Sequence, residues 1–196
     1  MSTGPRSGRA RSRSPLLRPS GPAPATPAAP AAHTGAELRS LLGLVAAARP
    51  TVRTVTVGHG RDPASEAAAL AFAEAWQARG GEVQALVDWP DAAASWLRAA
   101  RRLTTGTPDA WVVAGGPLGW AQLSRRLRHS TDWTPRRTFG FASLGDILAV
   151  ELAGAETLRG MSGATPDGGT WRVGGELISY HPADPAPPRR YDDFQE

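Results

Sequence analysis

VRTVTVGHGRDPASEAAALAFAEAWQARGGEVQALV, residues 52–87, carries the alternation from which the fold is read. Its opening, Val52 to Val57, is dense in β-branched side chains, which pack well on a pleated surface and favour a strand. Asp62 and Pro63 follow as an N-cap and a first-turn proline, and Ala69, Phe72, Ala73 and Trp76 then recur on one helical face. Gly80 and Gly81 end that helix, and Glu82 to Val87 returns to strand character. Strand, short loop, helix and strand again is the grammar of a right-handed parallel crossover.

The same grammar extends in both directions. Upstream, Thr34 is placed to cap a helix through Leu38, Leu41, Leu42 and Val45 that Pro50 stops. Downstream, Asp88 to Asp91 leads into a helix expected to turn Ala93, Trp96, Leu97, Ala100 and Leu103 inward. DAWVVA, residues 109–114, is a near-continuous apolar run of the kind found in strands covered on both faces. Gly115, Gly116 and Pro117 open a helix carrying Trp120, Leu123 and Leu127, with Arg125, Arg126 and Arg128 mostly outward. A fourth strand, Arg137 to Ala142, precedes a helix with Leu144, Ile147, Leu148 and Leu152 on its inner face. After Gly160 the pattern changes: Gly163, Asp167, Gly168 and Gly169 mark turns, and TWRV followed by GGELISY predicts a β-hairpin through Gly174 and Gly175. The expected architecture is a single three-layer α/β domain. It has a mostly parallel sheet of four to five strands, helices on both faces and a small C-terminal β-hairpin.

A chain of 196 residues has room for one domain with a sizeable core. Its organisation reads as a disordered leader over 1–33, an α/β ligand-binding-like domain over 34–181 and a flexible tail over 182–196. The net charge of +4 is concentrated in the leader, where Arg6, Arg9, Arg11, Arg13 and Arg18 stand without any acid. The remaining 17 basic residues face 18 acidic ones, so the globular part is close to neutral. With no cysteine, disulfides, thiolate metal sites and cysteine nucleophiles are excluded. No stretch approaches the roughly 20 apolar residues of a membrane span, and the leader lacks the apolar core of a secretory signal. A cytoplasmic location is the default expectation, with an extracytoplasmic one if the true start lies elsewhere.

In an open parallel sheet, ligands bind beyond the carboxyl ends of the strands. The loops that follow the strands therefore supply the candidate ligand-binding residues: His59, Arg61 and Asp62; Trp89 and Asp91; Gly115 and Gly116; Ser143 and Asp146. Simpler roles compete at several of these positions. Arg61 and Asp62 can pair with each other, Asp62 can simply cap the following helix, and AGGPLG can be a packing turn instead of an anion cradle. That loop matches neither dinucleotide nor P-loop spacing, and the chain has no lysine to complete a P-loop. Trp76, Trp96 and Trp120 sit at helix-core positions, whereas Trp89 and Trp133 are placed in loops and are candidates for ligand contact. His33, His59, His129 and His181 are far apart and lack metal-ligand spacing. No nucleophile, base and orienter stand in a recognisable order, so no catalytic residue, metal or cofactor is assigned.

AAALAFAEAWQARGGEV followed by PDAWVVAGG, and LAGAETLRGMSGATPDGGTWRV nearer the carboxyl end, resemble a lobe of the type I periplasmic-binding-protein family, the branched-chain amino-acid-binding kind. The resemblance spans about residues 52–180. It implies a non-catalytic domain that binds or senses a small polar, amino-acid-like solute, related to the substrate-binding proteins of ABC transporters. Members of that family close two lobes on their ligand, and this chain has length for one. The resemblance thus implies a second lobe, a partner domain or a homodimer as partner, and the near-neutral globular part argues against nucleic acid as its ligand. Two alternatives stand beside it. GHGRDP resembles the histidine-bearing loop of the sirohydrochlorin chelatases, which would make His59 the working residue of an enzyme acting on a tetrapyrrole. The arginine-rich leader would suit a nucleic-acid-associated protein.

Overall fold

The computed structural model describes residues 29–93 and 95–183. The expected leader up to residue 28 and the expected tail from 184 onward lie outside the described residues. The elements run α1 (Gly35–Ala47), β1 (Thr54–Gly60), α2 (Pro63–Gln77), β2 (Glu82–Trp89), α3 (Leu97–Thr104), β3 (Ala110–Ala114), α4 (Pro117–Ser130), β4 (Thr138–Gly140), α5 (Ile147–Ala153), α6 (Ala155–Leu158), β5 (Ser162–Ala164), β6 (Thr170–Val173) and β7 (Ile178–His181).

Local chemistry sets the helix starts. The Thr34 hydroxyl accepts from the Glu37 amide at 3.0 Å while the Glu37 carboxylate accepts from the Thr34 amide at 3.3 Å, a complete capping box for α1. Asp62 accepts from the Ser65 amide at 2.8 Å with Pro63 in the first turn of α2. Gly80, at a φ of +80°, takes the left-handed conformation that ends α2.

The strands lie in the order β2-β1-β3-β4-β5-β6-β7. The first five are parallel, and β6 and β7 add antiparallel at the far edge. Alternation along the strands feeds two cores. Val55, Val57, Val112 and Phe139 pack against Leu41, Leu42, Val45, Phe72 and Trp76 of α1 and α2. Trp111, Val113, Met161 and Trp171 pack on the other face against Leu103, Trp120, Leu123, Leu127, Val150 and Leu158 of α3 to α6. Each such side chain contributes roughly 1.5–3 kcal/mol by leaving water.

Four details correct the sequence expectations. The sheet has seven strands, because the segment around Gly163, expected as a turn, is β5, and the hairpin strands join the same sheet. The inner face of α5 is Ala149, Val150 and Ala153, with Ile147 exposed, because Gly145 and Asp146 delay the helix start beyond Leu144. Ala93 is exposed and precedes α3, which starts only at Leu97. Trp89 and Trp133, expected as ligand contacts, are buried in the core, although Trp133 does lie in the loop after α4. Trp89 is the last residue of β2, and its ring lies beneath Gly58 and Gly115, beside the Trp120 ring that Trp133 also meets.

Asp109 fastens β3 to β1 at their amino ends. Its Oδ2 accepts from the Arg53 and Thr54 amides, both at 2.9 Å, and from the Thr54 hydroxyl at 3.1 Å. The Thr54 amide, then the Arg53 amide, hold this carboxyl below the usual aspartate range. A depressed folded-state value adds stability that is present above the unfolded pKa and lost as pH falls through the folded one. Stability should therefore decline as pH drops below about 4, and Asp109→Asn should lower stability at neutral pH while flattening that acid limb in urea melts. An unchanged limb would remove Asp109 from the account.

β4 and β5 leave no room for a side chain where Gly163 meets Gly140. A Cβ on Gly163 would lie 2.0 Å from the Gly140 carbonyl oxygen and 2.4 Å from the Trp171 ring, whereas one on Gly174 would meet nothing within 4 Å. Gly163→Ala should cost about 2 kcal/mol or more in urea denaturation, and Gly174→Ala should stay within about 0.5 kcal/mol of the parent. Equal effects would show that β5 is not seated this closely.

Candidate ligand-binding site

Strand order reverses at β1 and β3. From β1 the chain turns onto one face through α2 and returns at β2, whereas from β3 it turns onto the opposite face through α4 and returns at β4. The loops after β1 and β3 therefore diverge and leave a crevice at the carboxyl ends of the strands, where ligands gather in sheets of this kind. Small residues bring the backbones together there. A Cβ on Gly60 would lie 3.5 Å from the Gly115 Cα.

A cavity of about 450 Å³ opens at this edge, between α2 and the loop after β4. Ala64, Ser65 and Ala68 from the start of α2, Ala114 at the end of β3, and Phe141 to Ser143 after β4 form its walls. The segment from Pro30 to Thr34 and the Glu37 side chain border it as well. The Ser143 hydroxyl donates to the Gly115 carbonyl at 2.9 Å and so ties the third and fourth loops together. The Ala142 amide donates to the Glu37 carboxylate at 2.6 Å, which ties the α1 start to the loop after β4. Glu37 is almost fully buried, its two oxygens accept from the Ala142 and Thr34 amides, and among the described residues it forms no ion pair. The Ser65 hydroxyl is also buried at this wall and has no hydrogen-bond partner among the described residues. A buried hydroxyl without a partner costs free energy unless a water or ligand supplies one.

The candidate residues from the sequence do not all gather at this cavity. Ser143 lines it, and Asp62 and Gly115 support its rim through the α2 cap and the Gly60 approach. His59 and Arg61 instead line a shallower cavity of about 320 Å³ near the β2 edge, together with Glu66, Leu86 and Asp88. There the His59 ring is buried, with Nδ1 2.7 Å from the Gly60 carbonyl. Arg61 pairs with Asp88 at 2.7 Å, not with Asp62, and Arg102 reaches the same carboxylate at 3.4 Å. The Arg61 hydrogen bond is the main reason that the Asp88 carboxyl sits below the usual aspartate range. Asp146 caps α5 through the Leu148 amide at 2.8 Å, and Gly116 is the N-cap of α4. Asp91 is exposed beside Gly119 of α4. Trp89 is sealed in the core and cannot touch a ligand.

Among the described residues no three His, Cys, Asp or Glu side chains stand together as metal ligands, so His59 belongs to no such cluster. No helix among the described residues is long and apolar enough to cross a membrane. Ser65, Glu37 and Phe141 are the site residues that sequence reasoning passed over. The signal for Glu37 was present as the fourth residue of T-x-x-E after the Thr34 cap, and that for Ser65 as a hydroxyl in the first turn after β1.

No family model and no curated protein matches the sequence. At the level of fold the chain is similar to a substrate-binding periplasmic protein from Ralstonia solanacearum, with 18% identity and a TM-score of 0.58 over 70% of this chain and 38% of that one. It is similar also to a branched-chain amino acid ABC transporter protein from Rhodospirillum rubrum, with 18% identity and a TM-score of 0.55 over 66% of this chain and 36% of that one. A third is the branched-chain amino acid transporter substrate-binding protein of Streptococcus pneumoniae in complex with isoleucine, with 15% identity and a TM-score of 0.53 over 65% and 34% of the two chains. What is shared at these identities is the fold. The chain spans little more than a third of the length of these solved structures, and its α/β domain has the fold of one lobe of a periplasmic binding protein of the branched-chain amino-acid type.

Proposed function

We propose that the domain over 34–181 is a non-catalytic module that binds or senses a small, polar, amino-acid-like solute, with residues 1–33 and 182–196 appended to it. The observation that carries this reading is the unpartnered Ser65 hydroxyl in the wall of the 450 Å³ cavity, at the carboxyl edge of a lobe-type sheet. The cavity joins two chemistries. Ser65 and the positive end of the α2 dipole suit an anionic or polar group such as a carboxylate, and Ala64, Ala68, Ala114 and Phe141 offer an apolar wall for a side chain. The His59, Arg61 and Asp88 cluster is a secondary contact surface, and Ser143 fixes the cavity's far wall.

One lobe encloses a ligand on one side only. Affinity should be weak for the isolated chain and rise when a second lobe, a partner domain or a second copy covers the open side. The solved relative that holds isoleucine makes branched-chain amino acids the first solutes to try. In a thermal-shift screen against amino acids, a solute at about 100 times its dissociation constant should add about 2.7 kcal/mol to stability. Ser65→Ala, which leaves the Asp62 cap on the backbone intact, should weaken that binding severalfold. No shift from any amino acid, or full binding by Ser65→Ala, would contradict the assignment.

A further inference from the structure

A second feature of the described structure, basic in character, lies away from the cavity with Ser65. A groove of about 360 Å³ runs beside the carboxyl end of α1, over β4, β5 and β6. Arg49, Arg136, Arg137, Arg172 and His181 line it, with Leu44 and Phe139 among the apolar positions of its floor. Among the described residues no Asp or Glu lines this groove, and none of its four arginines forms an ion pair with a carboxylate. Four arginines lining one groove without an acid make it a basic site.

Three of these arginines are held in place by the surrounding fold. The Arg137 guanidinium donates through Nε to the Asp109 carbonyl at 2.7 Å and through Nη1 to the Pro50 carbonyl at 2.9 Å. Arg49 donates through Nη1 to the Ala47 and Ala48 carbonyls, both at 3.1 Å, where the α1 dipole ends. The stem of Arg136 lies against Gly160, whose φ of +91° and missing Cβ make room for it; a Cβ there would be 2.7 Å from the Arg136 Cγ. Carbonyl anchors orient a guanidinium without neutralising it, and the Nη2 groups of Arg49 and Arg137 make no hydrogen bond among the described residues. The Asp109 carboxylate lies near Arg137 but is already committed to three donors on Arg53 and Thr54 and does not line the groove. Arg172 of β6 and His181 of β7 complete the opposite wall.

We propose that this groove is a second binding site, for a compact phosphate-bearing anion, held by Arg49, Arg136, Arg137 and Arg172. Planar guanidinium forks match the oxygens of phosphate in pairs, and several arginines lining one groove favour a multivalent ligand over a single carboxylate. The groove's volume and its walls of α1 and β6 suit a pyrophosphate-sized group. The site opens at the amino end of β4, whereas the cavity with Ser65 and Ser143 opens at its carboxyl end, so the two are independent.

The test is calorimetric titration of the full chain with inorganic pyrophosphate, alongside Arg49→Gln/Arg172→Gln, in which both altered residues are exposed. Arg125→Gln/Arg128→Gln on the outer face of α4 is the charge-matched control. The groove variant should keep the parent's melting temperature without ligand and lose pyrophosphate affinity about tenfold or more. The α4 control should bind as the parent does. Equal losses in both pairs would reduce the effect to net charge, and unchanged affinity in the groove variant would move the anion to the arginine-rich leader; either overturns the proposal. Tighter binding of a single-stranded oligonucleotide than of pyrophosphate, lost in the groove variant, would also overturn it, by making the groove a nucleic-acid contact. Because Ser65→Ala leaves the groove intact, this outcome is independent of the solute-binding result.

Discussion

Val55 to His59 of β1 lie in parallel register beside Ala110 to Ala114 of β3, and the placement of every other element follows from that pairing. Both strands are buried along this length, so their backbone groups have no water to fall back on and must pair with neighbours. The side chains alternate between two cores, one under α1 and α2 and one under α3 to α6. Because the chain leaves β1 and β3 toward opposite faces, the crevice at their carboxyl ends is a consequence of topology. Gly60 lets the two loops approach there, while Gly58 and Gly115 make room for the Trp89 ring in the core beneath.

Most of this architecture was legible in the sequence because local and global signals agree. VRTVTV, DAWVVA, the Asp62–Pro63 start and the Gly80–Gly81 stop each specify the element that forms. Less legible were the places where a glycine had two meanings. Gly163 read as a turn because glycine usually is one, yet it is a strand residue pressed against the Gly140 carbonyl and the Trp171 ring. Trp89 read as a loop residue because Pro90 and Asp91 follow it, but β2 runs on to place its ring beneath Gly58 and Gly115. In both cases tertiary packing decided, and no local pattern announces which aromatic ring will cover which glycine.

The candidate site was only partly legible for a related reason. Residue types rich in chemistry drew attention to His59 and Arg61, and the fold spends them on local contacts with the Gly60 carbonyl and Asp88. The cavity is built instead from small and modest residues, among them Ala64, Ser65, Ala114 and Ser143, brought together from three elements distant in the chain. Glu37 has a double role that only the folded chain reveals. It completes the cap of α1 and, through the Ala142 amide, holds the loop after β4 in place. The two ends of β4 thus differ in character: small residues and a free hydroxyl at one, anchored arginines at the other.

Backbone amide shifts of the ¹⁵N-labelled chain, followed by NMR during titration with isoleucine and other amino acids, would locate a bound solute on the sheet. Perturbations gathered at Ser65, Ala114 and Phe141 to Ser143, with little change around Arg49 and Arg172, are what the account predicts. A chain whose spectrum stays fixed at every amino-acid concentration, or shifts only away from the carboxyl ends of β3 and β4, would contradict it.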